Sequence, residues 1–188
     1  MSSYTAGTPP SWGAPMFTAY SIFQRDGDEA WLEKVYPLLG GYLDHWLTNR
    51  TDSSGYQICM CTWESGQDMM KRWGWNQSYG GDRSSRVIRA PEHQAAMAYS
   101  AGVMAAFAKH LKQPAAEVKK WEAVVTRHVA LTHSLYKPEA NWWCDYNSEA
   151  QVWQSGCNDD GPAVGNAGAG KQTVRSQAIK KVYDRTFF

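Results

Sequence analysis

No apolar run in these 188 residues reaches the ~18–20 residues that a bilayer-spanning helix needs, so a transmembrane helix is excluded from the sequence. Charge of one sign is not in excess either. Nineteen Lys and Arg stand against 18 Asp and Glu, a formal net charge of +1. No global field therefore draws nucleic acid or an anionic membrane surface. The opening residues, Met1 to Gly7, lack the basic and apolar regions of a signal peptide and read as the interior of a longer chain. They leave the compartment open. Cysteine is scarce: Cys59, Cys61, Cys144 and Cys157. The first two are too close for an easy mutual bridge and wrongly spaced for a zinc knuckle, so buried or free thiols are expected. His45, His93, His110, His128 and His133 show no zinc spacing with a third ligand. His128 is expected to pack on a helix stripe, and no metal or organic cofactor is implied.

What the chain does have is ten Trp and ten Tyr. Trp31, Trp46 and Trp121 fall on apolar helical stripes and read as core. Trp63, Trp73, Trp75, Trp142, Trp143 and Trp153 fall among polar residues and glycines, where an aromatic face is a candidate ligand surface.

The spacing predicts two pairs of helices. The first helix spans about 11–25 and stops at Asp26-Gly27-Asp28, with Gly27 as its C-terminal glycine and Asp28 as the next N-cap. The second carries Trp31, Leu32, Val35, Leu39, Leu43 and Trp46 on one stripe, with a kink expected at Pro37. The third, about 91–111, is small or apolar nearly all round, which predicts burial on every face. Pro114 opens an amphipathic fourth helix. The links within each pair are short, whereas Thr48 to Arg89 separates the pairs with little periodicity. Long irregular segments of this kind usually carry function. Two hairpins cannot close a ring or bury both edges of a stack, so a piece of an α/α solenoid or toroid is expected, with an uncovered flank on the third helix and self-association through it.

The long segment holds Trp63-Glu64-Ser65-Gly66-Gln67-Asp68 and then Arg72 and Trp73. Glycosidases need one carboxylic acid to protonate the leaving oxygen and a second carboxylate across the sugar ring. By residue type, either Asp68 or Glu64 suits the acid. A plainer alternative is a surface turn with Asp68 paired to Arg72 at i,i+4.

That hexapeptide resembles the Trp-Glu-Ser-Gly-x-Asp signature of the glycoside hydrolases that include mannosylglycerate hydrolase, processing α-glucosidase and bacterial α-glucosidases, and more distantly the trehalases. Similar stretches flank it. These are Pro9-Pro10-Ser11-Trp12, the segment from Asp26 to Pro37, Glu92-His93-Gln94-Ala95, and Tyr136 to Tyr146. The resemblance covers about residues 7–156. It implies an all-α fold, an incomplete (α/α)6 toroid, and hydrolysis of an α-linked glucoside or mannoside with inversion. It makes Asp68 the general acid and Gly66 part of the sugar site, with Trp63 and Glu64 close by. Trp12, Arg89, Glu92 and Gln94 are further candidates for sugar contacts.

The chain departs from the pattern in places. Thr8 stands where a Gln commonly precedes the two prolines. Glu92 and His93 replace an Asp and an apolar residue. The family's general base is a Glu on a later hairpin, and Glu149, Asp159 and Asp160 do not match its position. The expected division is a partial toroid domain over 1–156 and a linker-like segment with a basic C-terminal helix over 157–188. Gly165 to Gln172 nearly fits a phosphate-binding loop, but it lacks the final Ser or Thr and a preceding buried strand. Two rival readings remain: a non-catalytic carbohydrate-binding or degenerate fragment, and a helical scaffold without ligand. The expected partner is a carbohydrate.

Overall fold

The computed structural model describes residues 13–65 and 82–154. Trp12, Gly66, Asp68, Arg72, Trp73, Trp75, Cys157 and the expected C-terminal helix lie outside them. Four long helices form two hairpins: α1 (Ala14–Asp26) with α2 (Glu29–Asn49), and α4 (Pro91–His110) with α5 (Ala115–His133). A short α3 (Asp82–Val87) precedes α4.

The hairpin links form for local reasons. Gly27 takes a left-handed conformation (φ 64) and donates its N–H to the Phe23 carbonyl, closing α1. The Asp28 side chain then accepts the Trp31 N–H at 2.9 Å and caps α2. Helix α2 runs on through Pro37. Pro114 is the N-cap of α5, as its position in the sequence suggests.

Helix α4 is the inner element. Its small residues let neighbours approach from all sides, and His93, Gln94, Ala98, Ala101, Met104 and Phe107 are among its buried positions. The expected uncovered flank is therefore corrected: apolar exposure among the described residues falls on Phe17, Leu38 and Val152. The core joins Met16 of α1, Leu32, Leu39, Leu43 and Trp46 of α2, Met97, Met104 and Phe107 of α4, and Trp121 of α5. Buried Gly40 leaves α2 close to Met104 and Trp121; a Cβ there would lie 3.5 and 3.7 Å from them. The Trp121 indole donates to the Tyr36 hydroxyl (3.1 Å) and to Glu117 Oε1 (2.9 Å), so the buried Trp121 N–H is satisfied. Burial, with Glu117 alongside, pushes the Tyr36 hydroxyl up to about 12.

The two links share one end of the stack, where His110 at the close of α4 meets Glu29 at the start of α2 at 3.1 Å. The long segments gather at the other end. There β1 (Ile88–Arg89), β4 (Tyr146–Asn147) and β5 (Val152–Trp153) make a small antiparallel sheet in the order β1-β4-β5, and β2 (Tyr136–Lys137) pairs with β3 (Trp142–Trp143). These two-residue strands were not legible as alternating patterns. The expectation of thiols holds for Cys59 and Cys61, which are free, and is corrected for Cys144, which is disulfide-bonded.

Candidate active-site loop

The segment from Arg50 to Ser65 leaves the C-terminus of α2 and folds over the start of α4. A tight turn opens it. Asp52 accepts the N–H groups of Ser54 (2.8 Å) and Tyr56 (3.0 Å), and Gly55 supplies a positive φ of 91. Arg127 of α5 reaches across to the Gly55 carbonyl at 3.2 Å. The Tyr56 hydroxyl lies 2.7 Å from Ser134 Oγ, tying the same turn to the end of α5.

The middle of the segment is fastened to α4 by one side chain. Gln94 accepts the Gln57 N–H at 2.9 Å and donates to the Gln57 carbonyl at 2.9 Å, so its amide imitates a strand partner. It is fully buried. Gln94, a candidate sugar contact, thus brackets the loop to the first turn of α4. One residue before it, His93 is buried against the Cys59 thiol, with ring nitrogens 3.7 and 3.8 Å from Sγ. Glu92 sits half-buried in the first turn of α4.

The segment ends in a 3₁₀ turn, Thr62–Ser65, which contains Trp63 and Glu64 of the motif. The Glu64 side chain is 1% exposed and faces Arg50. Arg50 Nε lies 3.0 and 2.9 Å from its two oxygens, and Arg50 Nη2 lies 2.8 Å from Oε1. The Met60 N–H adds a 2.7 Å bond to Oε2. Both carboxylate oxygens are engaged by donors, so the side chain fastens the 3₁₀ turn to Arg50 and to the Met60 N–H.

Arg89 of β1 is the remaining described candidate. Its Nε donates to Asp52 at 2.8 Å, and its guanidinium lies 4.3 Å from the centre of the Tyr56 ring. Arg89 of β1, Glu92 and Gln94 of the first turn of α4, and Glu64 of the 3₁₀ turn thus lie at one end of the stack. Arg50, Asp52 and Gln57, which complete the arrangement, carried no periodic or motif signal.

No curated protein matches the chain. Among solved structures, it is similar to an uncharacterized conserved protein from Thermus thermophilus, at 16% identity and a TM-score of 0.65. The match covers 80% of this chain and 47% of that one, so the chain spans about half the length of that structure; at this identity the likeness concerns fold alone. The family model described as the mannosylglycerate hydrolase MGH1-like glycoside hydrolase domain matches residues 6–187. With the helical hairpins of an incomplete toroid and a family match over residues 6–187, this chain belongs to the MGH1-like glycoside hydrolase family.

Proposed function

We infer that the chain carries the general-acid half of an inverting α-glycosidase acting on an α-linked glucoside or mannoside, with Asp68 as the acid. The supporting observation is the engagement of Glu64. The motif offers two carboxylates, and Glu64 is held by Arg50 and the Met60 N–H. Asp68 is the carboxyl left for proton transfer. It agrees with the role that the resembled signature gives to its last residue. Gly66 and Trp63 border the sugar site in this reading, and Trp12, Arg89 and Glu92 contribute at its edge.

The chemistry follows from the inverting geometry. Asp68, protonated, donates to the glycosidic oxygen as the bond to the anomeric carbon breaks. A second carboxylate, roughly 6.5–9.5 Å away, takes a proton from the water that attacks the opposite face. None of the carboxylates in these residues matches the base position of the resembled family. A non-catalytic sugar-binding role is therefore the second reading.

The test is Asp68→Asn in a longer polypeptide that also contains the base. Sugar binding and fold are retained, and turnover of an alkyl α-glycoside falls by about 10²–10⁴-fold, since the amide cannot supply the proton. Full activity of Asp68→Asn on the alkyl glycoside rejects Asp68 as the acid.

A further inference from the structure

We propose that the row Tyr56–Arg89–Tyr146–Trp153 is a carbohydrate platform, on which one pyranose ring of the ligand stacks against the Trp153 ring, with Tyr146 packed beside it. The assignment of ligand class rests on the glycosidase reading. The site itself rests on geometry.

Strand register puts the row together. Arg89 of β1 lies opposite Tyr146 of β4, and Tyr146 lies opposite Trp153 of β5. Residues directly opposite in an antiparallel pair share a face, so Arg89 lines one side of the small sheet with Tyr146 and Trp153, which lie more than fifty residues further along the chain. The Tyr146 and Trp153 rings meet edge to face, with centroids 5.1 Å apart at 66°. The Arg89 guanidinium lies 5.9 Å from the Tyr146 ring centre and 4.3 Å from that of Tyr56. The row therefore runs without a break from the turn of the motif-bearing loop to the outer hairpin.

Two features favour a neutral sugar over other ligands. All four members are half-buried, neither sunk into the core nor standing free. Asp52 cancels the Arg89 charge at 2.8 Å, so an anionic ligand gains little there. What remains is an apolar ring surface edged by charge-assisted hydrogen-bonding groups. A pyranose has the complementary form, an apolar C–H face with a rim of hydroxyls. The opposite face of the same sheet holds Ile88, Asn147 and Val152, and offers no aromatic ring.

The experiment uses the full 188-residue chain, titrated with maltotriose and with methyl α-D-mannopyranoside and followed by saturation-transfer NMR. Saturable binding of one of the two is expected, together with shifts of the Trp153 ring resonances. Trp153→Ala should weaken it about tenfold, whereas Trp153→Phe, which keeps a ring face, should stay within about threefold of the parent. Unchanged affinity in a natively folded Trp153→Ala overturns the proposal, because the pair would then only brace the hairpin. No binding of either sugar to the parent chain overturns it as well. If Trp153→Ala does not fold, the Trp153 ring shifts in the parent decide: their absence in the presence of bound sugar is a negative result. These outcomes concern binding alone, so they are separable from turnover by Asp68→Asn. The acid assignment can fail while the platform stands, and the converse.

Discussion

Arg50 and Glu64, one ending a helix and the other inside a 3₁₀ turn, close a 14-residue separation through a guanidinium–carboxylate clamp with contacts of 2.8–3.0 Å. Arg50 is 15% exposed and Glu64 1%. A pair this sheltered costs desolvation on both sides, so its removal is asymmetric. Arg50→Met leaves the Glu64 carboxylate buried and facing an apolar neighbour, and should destabilise the chain by about 3–5 kcal/mol. Arg50→Met with Glu64→Leu should recover a large part of that loss. Urea unfolding of the single and double variants is the measurement, and additive losses would show that the two residues act independently.

Gly55 holds a second prediction. Its φ of 91 is unfavourable for a residue with a Cβ, and a Cβ built there would run into the Arg127 guanidinium. Gly55→Ala should cost about 1–3 kcal/mol and displace Arg127 from the Gly55 carbonyl. Thermal unfolding of Gly55→Ala beside Arg127→Met separates the backbone cost from the lost contact.

His128 makes stability depend on pH. It is fully buried on α5, neither ring nitrogen has a hydrogen-bond partner, and burial, with Arg127 nearby, lowers it from 6.5 to about 4. Below pH 6.5 the unfolded chain takes up a proton that the folded chain refuses. Its contribution to stability is thus full above 6.5, falls as pH drops toward 4, and levels off below. The loss over that window is about 3 kcal/mol. Denaturant midpoints from pH 7.5 to 4 should show this slope in the parent and lose it in His128→Leu. An identical slope in both would assign the dependence to other groups.

The 188-residue chain by itself should not turn over α-glucosides, trehalose or mannosylglycerate at an appreciable rate. On the proposed inverting reading, water is a poor nucleophile without a carboxylate to take its proton, and that base is supplied by a residue outside this sequence. Assays of the purified chain, with its mass in solution measured alongside, test this. Turnover by a monodisperse monomer, abolished by Asp68→Asn, would locate a second carboxylate within these residues.

Much of this was readable before any coordinates. Gly27 and Asp28 announce the first hairpin turn because their conformational preferences are local. The apolar sweep of α4 predicts burial on all sides because periodicity reports how many faces a helix hides. The motif's residue types left a plain surface turn open, and its resemblance to a known signature pointed to glycosidase chemistry.

The roles of individual candidates were another matter. Glu64 and Gln94 read alike as polar residues near a sugar, yet both are consumed in fastening the loop to Arg50 and Gln57. Nothing near Arg50 in sequence points to Glu64, since a partner 14 residues away is chosen by how the chain turns back over α4. The two-residue strands that align Arg89, Tyr146 and Trp153 are too short for an alternating pattern, and their register depends on partners distant in sequence. The sequence by itself determined the helices and their caps, because these depend on residue type and near-neighbour spacing, and its resemblance to a known signature pointed to the family. Which polar groups face one another, and hence which carboxylate is held and which aromatic rings form a surface, was decided only by tertiary structure, because hydrogen bonds and ring contacts require closeness in space that spacing along a chain does not encode.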